Sequence, residues 1–347
     1  MGRAEVMRIL VISAVSPNGP SQGERLRLEN LMRGAGAAGD VELWQVDPAA
    51  SSASRFAALW RTRSVYWARN AFTPRSIPAA RYDLVIAFQL RTAPLAKLVQ
   101  SRRRIIDLTD SLGLFRQRLK QFRTGFVRQI ALAGIGNSEA EWSREFDEVW
   151  VSGWQDAQWL RNRGVKAWEV ANAVREKVLL PPGNPRELLF VGNLAYLPNR
   201  QGLQRFLRQV WPALAKEQYR LHIAGQGSGS MRGPQIISYG FAQDLLALYR
   251  KTGISISPVE LGTGTQNKIL EALGYGRPVV SGPAAAAALP APVRAGVAVA
   301  ADIPAWVRVL RDLQDPVHYR QCVTTGWEAV PVAGEPVTAR LQCWGDW

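Results

Sequence analysis

The sequence predicts an α/β protein of two doubly wound domains, each built around a parallel sheet. The chain has 347 residues, 47% of them hydrophobic, which is enough for two separate cores. Between residues 187 and 315, short β-like runs alternate with helical patterns of about 10–15 residues, an order typical of parallel sheets. The proline-rich segment 179–186 offers few apolar anchors, so we expect it to link an N-terminal domain, 1–178, to a C-terminal domain, 187–325. A tail at 326–347 follows, which can cross back to the N-terminal domain.

The predicted strands of the N-terminal domain are short apolar or alternating runs. Arg8–Ser13 comes first and leads through a Pro/Gly-rich loop into a helical pattern from Glu24 to Met32. A strand, a glycine loop and a helix in this order form a ligand-binding corner in open α/β sheets, although a plain connection explains the pattern equally well. Further strands are predicted at Val41–Val46, Tyr82–Phe88 and Arg104–Leu108.

Two acidic residues, Asp107 and Asp110, stand at the end of the predicted strand Arg104–Leu108. The carboxyl ends of the strands face the ligand crevice in such a sheet, so Asp107 and Asp110 are candidates for orienting a substrate hydroxyl. Capping of the next helix by Asp110 or Ser111 is an equally good interpretation.

A basic amphipathic pattern covers residues 112–135, where apolar residues at helical spacing alternate with arginine and lysine. Such a segment can lie on an anionic membrane, at about 1 kcal/mol per cation near the surface. A solvated helix packed on its sheet explains it equally well. The net charge of +15 is concentrated in residues 1–178, with 27 Lys/Arg against 17 Asp/Glu, and suits an anionic lipid, nucleic acid or substrate.

The stretch 262–280 carries the strongest functional signal, because a glycine-rich loop leads into a short helix and then a strand. Its loop and helix start are formed by Gly262, Thr263, Gly264, Thr265, Gln266 and Asn267. Backbone N–H groups of such a loop converge on an anion, and the helix N-terminus adds partial positive charge. Lys268 supplies a cation and Glu271 lies one turn later, which suits a diphosphate with a sugar hydroxyl nearby. The alternative is a buried helix with a surface Lys268–Glu271 pair.

Two segments resemble the retaining glycosyltransferases of family four, the glycosyl transferases group one. They are SPVELGTGTQNKILEALGYGRPVVSG at 257–282 and LLFVGNLAYLPNRQGLQRFLRQVWPAL at 188–214. The resemblance implies a GT-B fold, in which two Rossmann-like domains face each other across a cleft. It also implies that the second segment is the first strand, glycine turn and helix of the nucleotide-sugar domain, which makes Gly192 and Asn193 candidate donor-binding residues.

The same resemblance implies roles for individual residues. Glu271 is expected to bind the nucleotide ribose, and the loop after the first strand is expected to place Gly19, Gly23 and either Arg25 or Arg27 near the reacting sugar. The resemblance also implies that no protein nucleophile is required, because the leaving phosphate deprotonates the acceptor. No metal or other cofactor is expected, since the chain has no Asp-x-Asp motif and Lys268, the amides of Gly262–Gly264 and the helix dipole can neutralise the diphosphate.

The chain departs from the family pattern at three places. Thr263 replaces the first of two glutamates eight residues apart, and the loop 193–199 lacks the usual Arg and Lys, with Arg200 the nearest cation. At the C-terminus, we expect the helix that docks on the first domain in relatives to be truncated or absent.

Composition limits the other possibilities. Cys322 and Cys343 have neither a metal-ligand nor a disulfide spacing, and the chain holds only two histidines, so zinc sites and histidine triads are disfavoured. There is no apolar run of transmembrane length. We therefore expect a cytoplasmic protein, able to sit on the inner face of the membrane through residues 112–135.

The favoured hypothesis is a metal-independent, retaining glycosyltransferase of polysaccharide, glycolipid or natural-product assembly. Its expected partners are a nucleotide-diphosphate sugar and a saccharide, lipid-linked or small-molecule acceptor. A GT-B protein that binds a nucleotide sugar or glycan without turnover is the alternative, supported by Thr263 and the short tail. A nucleic-acid-binding protein rests on charge alone, and we expect no nucleic-acid partner.

Overall fold

The computed structural model describes residues 6–16, 22–47, 66–67, 76–121, 135–260 and 265–344. The chain divides into two compact units. The first comprises residues 1–175 and 333–347, and the second comprises 176–332. Each unit is built on a six-stranded sheet whose described strand pairs are all parallel. This architecture confirms the predicted α/β class with two parallel-sheet domains.

The sheet of the first unit has the strand order β2-β1-β3-β4-β5-β6. Its strands are β1 Arg8–Ser13, β2 Asp40–Gln45, β3 Tyr82–Phe88, β4 Ser101–Thr109, β5 Glu148–Val151 and β6 Ala167–Glu169. Helices on its faces include α1 Gln22–Ala38, α2 Ala93–Ala96, α3 Leu112–Gln121, α4 Ile135–Ser143 and α5 Trp154–Arg161, and Leu90–Thr92 is a 3₁₀ turn.

Continuous apolar runs form the central strands because helices cover both faces of the sheet. Alternate side chains of β1 enter two different cores. Leu10 and Ile12 pack in one core, whereas Ile9 and Val11 pack in the other, and all four are fully buried. The period of two along a strand thus divides one apolar run between the two faces.

The sheet of the second unit has the order β12-β11-β10-β7-β8-β9. Its strands are β7 Glu187–Val191, β8 Arg220–Ala224, β9 Ile236–Gly240, β10 Ile254–Ser257, β11 Val279–Ser281 and β12 Val297–Val299. Its helices include α6 Leu197–Gln209, α7 Trp211–Lys216, α8 Leu245–Lys251, α9 Asn267–Gly274, α10 Pro283–Ala287, α11 Ala291–Ala295, α12 Ile303–Asp312 and α13 Pro316–Ala329.

The C-terminal region corrects the expectation of a truncated or absent last helix. After α13, a further helix, α14 Glu335–Gln342, forms and belongs to the first unit. It packs against α1, where Thr338 Oγ1 donates to the carbonyl of Gly34 at 3.3 Å. Val337 is fully buried beside Gly34, in the core that β1 shares. The predicted tail, 326–347, is therefore divided between the two units.

The basic segment predicted at 112–135 is described only in part. Helix α3 covers its beginning, and residues 122–134 lie outside the described residues. Within the described ranges, no helix combines the length and apolar character needed to cross a membrane. The membrane contact stays a prediction.

Candidate functional site

The helix predicted to carry the anion site is α9, which follows β10 in the second unit. Ile269, Leu270 and Leu273 are buried, and they fix one face of the helix against the sheet. Gln266 precedes the helix and its carbonyl accepts from the Ile269 N–H at 2.8 Å, while Asn267 is the first helical residue. Thr265 is buried just before them.

Three of the predicted anion-binding residues cannot be placed. Gly262, Thr263 and Gly264 lie outside the described residues. Their role at the N-terminus of α9 stays a prediction.

Lys268 lies in the first turn of α9, and its ammonium contacts one residue of α6 and one of β7. Its Nζ donates to Asn199 Oδ1 at 2.5 Å and lies 4.7 Å from the centre of the Phe190 ring. Burial of the ammonium lowers the pKa of Lys268 to about 7. Among the described residues, the ammonium has one neutral hydrogen-bond acceptor and the face of one aromatic ring. This leaves its charge poorly compensated, so an anion arriving there would stabilise it.

The turn that follows β7 meets Lys268 through Asn199. Asn199 lies in the first turn of α6, and its Nδ2 donates to the carbonyl of Asn193 at 3.0 Å. A Cβ added at Gly192 would lie 3.0 Å from that same Nδ2, which is tighter than an ordinary contact. Asn193 Nδ2 in turn donates to Gln226 Oε1 at 3.1 Å. The predicted residues Gly192, Asn193 and Lys268 are thus brought together near the carboxyl end of β7.

Glu271 lies one turn after Lys268 and is half-buried. It accepts a hydrogen bond from the Tyr249 hydroxyl at 3.3 Å. The hydrogen-bond partner of Lys268 is Asn199, so the two residues contact different elements. This geometry differs from the surface Lys268–Glu271 pair that was the alternative interpretation.

In the first unit, Gly23 and Arg25 lie in the first turns of α1. Arg27, the other arginine considered for the reacting sugar, is buried and forms an ion pair with Asp107 at 2.8 Å. It also donates to the carbonyl of Val170 at 2.7 Å. Because both side chains of the pair have no exposed surface, the prediction that Arg27 or Asp107 contacts a substrate is wrong. Their pair joins α1 to the sheet.

Asp110 accepts a hydrogen bond from Ser152 Oγ at 3.0 Å. Burial, reinforced by the charge of Asp156, raises the pKa of Asp110 to about 7. The helix-capping role belongs instead to Ser111, whose Oγ accepts from the Leu114 N–H at 3.1 Å. Asp110 therefore keeps the role of a candidate acceptor-side residue, near the carboxyl ends of β4 and β5.

Glu139 is a residue that sequence reasoning missed. It projects from α4 to the start of α3, where its carboxylate accepts from Ser111 Oγ at 2.7 Å and from the Leu112 N–H at 2.8 Å. It is 1% exposed, and burial raises its pKa to about 7. No local pattern announces this contact, since it joins residues almost thirty positions apart along the chain.

Comparison with known families matches one of the two units. The sequence model of glycosyl transferases group 1 matches residues 185–315, which include both α9 and the turn after β7. A comparison with curated protein sequences finds no match.

Solved structures with a similar fold cover nearly all of the chain. Sucrose-phosphate synthase from Thermosynechococcus elongatus is 14% identical with a TM-score of 0.67, over 97% of this chain and 98% of its own. Anabaena HepE, solved in complex with UDP and glucose, is 12% identical with a TM-score of 0.61, over 97% and 99%. The lipopolysaccharide outer core galactosyltransferase WaaB is 16% identical with a TM-score of 0.59, over 97% and 99%.

One further similar structure is longer than this chain. TarM is 11% identical with a TM-score of 0.58, and the match spans 76% of this chain and 55% of TarM. At such identities, the likeness to these structures establishes the fold.

Proposed function

We propose a specific reaction for this chain on the premise that it is a GT-B glycosyltransferase whose group 1 domain occupies residues 185–315. The reaction is transfer of a sugar from a nucleotide-diphosphate sugar to a hydroxyl of a saccharide, a lipid-linked sugar or a small molecule. It proceeds with retention of configuration and without a metal. The donor binds the second unit at the N-terminus of α9.

The geometry around Lys268 carries this proposal. Its ammonium lies in the first turn of α9, beside the turn Gly192–Asn193, with Asn199 as its hydrogen-bond acceptor. The helix N-terminus adds a second positive contribution in the same place. A diphosphate bound there would replace a neutral partner with a doubly charged one, and this favours the ammonium over the neutral amine.

The chemistry follows from where charge develops. As the bond between the sugar and the diphosphate breaks, negative charge grows on the departing phosphate, and a fixed cation stabilises that charge without reorganisation. Glu271 holds the nucleotide through its ribose and so fixes the distance between the leaving group and Lys268. The departing phosphate takes the proton of the acceptor hydroxyl on the same face of the sugar, which retains configuration.

The similar structures support the choice of donor and the kind of acceptor. HepE was solved with UDP-glucose, and TarM with UDP and α-GlcNAc-glycerol. WaaB is described as a galactosyltransferase of the lipopolysaccharide outer core. A nucleotide sugar and a glycan acceptor of cell-surface assembly, used in the cytoplasm or on the inner face of the membrane, are the corresponding substrates proposed for this chain.

The proposal is tested with a panel of nucleotide sugars, measured for hydrolysis and for transfer to simple acceptors. Lys268→Ala should lower the rate by about 100- to 1,000-fold, the usual cost of removing one group that stabilises the leaving charge.

Glu271→Ala should mainly raise the KM for the donor, by roughly 10- to 100-fold, because it removes a hydrogen bond from a charged group. Lys216→Ala, at an exposed lysine of the same unit, is the matched control and should leave both values unchanged.

The alternative is a GT-B protein that binds a nucleotide sugar without turnover. It would be favoured if a nucleotide sugar raised the melting temperature of the protein while neither hydrolysis nor transfer could be detected. Rates in Lys268→Ala equal to those of the unsubstituted protein would contradict the proposed donor site itself.

A further inference from the structure

Asn199 contacts Lys268, but the reaction proposed above assigns it no role of its own. It lies in the first turn of α6, just after Pro198, and is only 7% exposed. Both polar atoms of its side-chain amide have partners from different parts of the second unit. Its Nδ2 donates to the carbonyl of Asn193 at 3.0 Å, and its Oδ1 accepts from Lys268 Nζ at 2.5 Å.

These two hydrogen bonds fix which way the amide points. If the amide were turned over, its NH₂ group would face the ammonium of Lys268, and its oxygen would face the carbonyl oxygen of Asn193. Both contacts would be repulsive, since an ammonium has only donors and a carbonyl only accepts. By accepting a hydrogen bond from Asn199 Nδ2, the carbonyl of Asn193 therefore keeps Asn199 Oδ1 directed at Lys268.

We infer that Asn199 is a positioning residue of the donor site, which holds the ammonium of Lys268 beside the turn Gly192–Asn193 and stabilises its charged form. The inference rests on the proposed function, because donor binding is what gives Asn199 its purpose. That purpose is to keep a cation in place before the donor diphosphate arrives. Asn199 acts through Lys268 and is not assigned a contact with the donor.

The surroundings of Lys268 make this one neutral acceptor important. Burial is the cause of its lowered pKa, which stands at about 7.

The charged and titratable groups on the adjoining elements are engaged elsewhere. Arg200 donates to the carbonyl of Leu194, and Arg205 pairs with Glu260. On α9 itself, Glu271 contacts the hydroxyl of Tyr249. In the described part of the chain, Asn199 is thus the polar group that supports the charge on Lys268.

The consequence is a pH dependence whose direction can be derived. Removing the acceptor oxygen favours the neutral amine, so Asn199→Ala should lower the pKa of Lys268 further, by roughly one unit. Placing a carboxylate there favours the ammonium, so Asn199→Asp should raise that pKa by about 1–3 units. A purely structural asparagine would change the melting temperature of the protein and leave the pKa of Lys268 where it is.

The first measurement follows Lys268 directly in the full-length protein without a donor. With ¹³C-labelled lysine, the Cε resonance of Lys268 is assigned from its loss in Lys268→Arg and is titrated from pH 5.5 to 10. The expected order of midpoints is Asn199→Ala below the unsubstituted protein and Asn199→Asp above it. Gln204→Ala, at an exposed position of the same helix, is the control and should not move the midpoint.

The second measurement is the affinity for a nucleoside diphosphate across the same pH range. The pH at which affinity falls should shift in the same order as the resonance midpoints, whatever the absolute affinities. If Asn199→Ala does not fold, Asn199→Asp carries both measurements.

The outcomes separate the two proposals. Equal Lys268 midpoints in folded Asn199 variants and in the unsubstituted protein would overturn the role of Asn199, even if diphosphate binding were found. Shifted midpoints without any binding of nucleoside diphosphates would instead overturn the proposed donor site, and with it the purpose given to Asn199.

Discussion

At the scale of single residues, three buried or partly buried cations of the described chain fall into two kinds. Arg277 is 1% exposed, and its guanidinium donates to the carbonyls of Tyr249 and Pro181 at 2.7 and 2.9 Å. Arg27 is held in the same way by Asp107 and by backbone carbonyls. Lys268, by contrast, contacts one neutral acceptor and the face of one ring within the described part of the chain. Arginines held by a carboxylate or by several backbone carbonyls fix the fold, whereas the poorly compensated lysine is suited to an anionic ligand.

Glu139 gives a residue-scale prediction about stability. Its pKa is raised to about 7 in the folded protein, against roughly 4.3 for an unperturbed glutamate. The folded state therefore binds the proton more tightly than the unfolded state. The stabilisation is complete below about pH 4 and is lost as the pH rises towards 7. Between pH 5 and 8, the unfolding free energy of the Glu139→Gln variant should fall by about 1–3 kcal/mol less than that of the unsubstituted protein.

This prediction is measured by urea unfolding at several pH values. Asp110, whose pKa is also raised to about 7, will keep part of the pH dependence in the variant. Glu141→Gln, at an exposed position of the same helix, should behave like the unsubstituted protein. A slope with pH that is the same in Glu139→Gln as in the unsubstituted protein would show that Glu139 is ionised throughout this range.

At the scale of elements, the contact between α1 and α14 depends on a glycine. A Cβ added at Gly34 would lie 2.4 Å from Val337 Cβ and 2.7 Å from the carbonyl oxygen of Gly334. Neither neighbour is the far end of a flexible side chain, so the two helices would have to move apart. Gly34→Ala should therefore lower the unfolding free energy by about 1–3 kcal/mol.

Gly36 is the matched control for this prediction. It lies in the same helix, and the nearest atom to an added Cβ is Val41 Cγ1 at 3.6 Å, an ordinary contact. Gly36→Ala should be neutral or should stabilise by about 0.5–1 kcal/mol, because alanine is the better helix former. Chemical unfolding of both variants tests the pair, and equal effects of the two substitutions would contradict the close packing of α14 on α1.

Hydrophobic patterning predicted most elements of the fold. Arg8–Ser13 and Tyr82–Phe88 form strands with the predicted bounds, since continuous apolar runs leave few alternatives. The presence of the last helix, α14, was missed for a physical reason. In α14, only Val337 and Leu341 are buried, and the helix is stable because it packs on α1. Long-range packing of this kind leaves no periodic pattern to find.

The candidate site was predictable to a similar degree. The glycine loop and helix start named Lys268 and Glu271 without any structure, because anion binding at a helix N-terminus has a local sequence pattern. Asn199 and Glu139 were not named as site residues, since each acts through a contact between distant segments of the chain. For the same reason, Arg27 was misjudged: its ion pair with Asp107 joins residues 80 positions apart.

At the scale of the whole molecule, the chain uses one architecture twice. Each unit has a six-stranded parallel sheet. In each, a buried arginine contacts the backbone of distant segments, Arg27 in the first unit and Arg277 in the second.

The proposed site residues are divided between the two units. The donor residues all belong to the second unit, and they are Gly192, Asn193, Lys268 and Glu271, whereas Gly23, Arg25 and Asp110 belong to the first. We therefore propose that donor binding is a property of the second unit and that the first provides the acceptor side.

Hydrogen exchange of the full-length protein, with and without a nucleoside diphosphate, tests this division most directly. We predict slower exchange in peptides covering residues 192–196 and 265–271, and loss of that protection in Lys268→Ala. Protection confined to peptides of residues 1–175, or protection at 265–271 that survives in Lys268→Ala, would contradict the account.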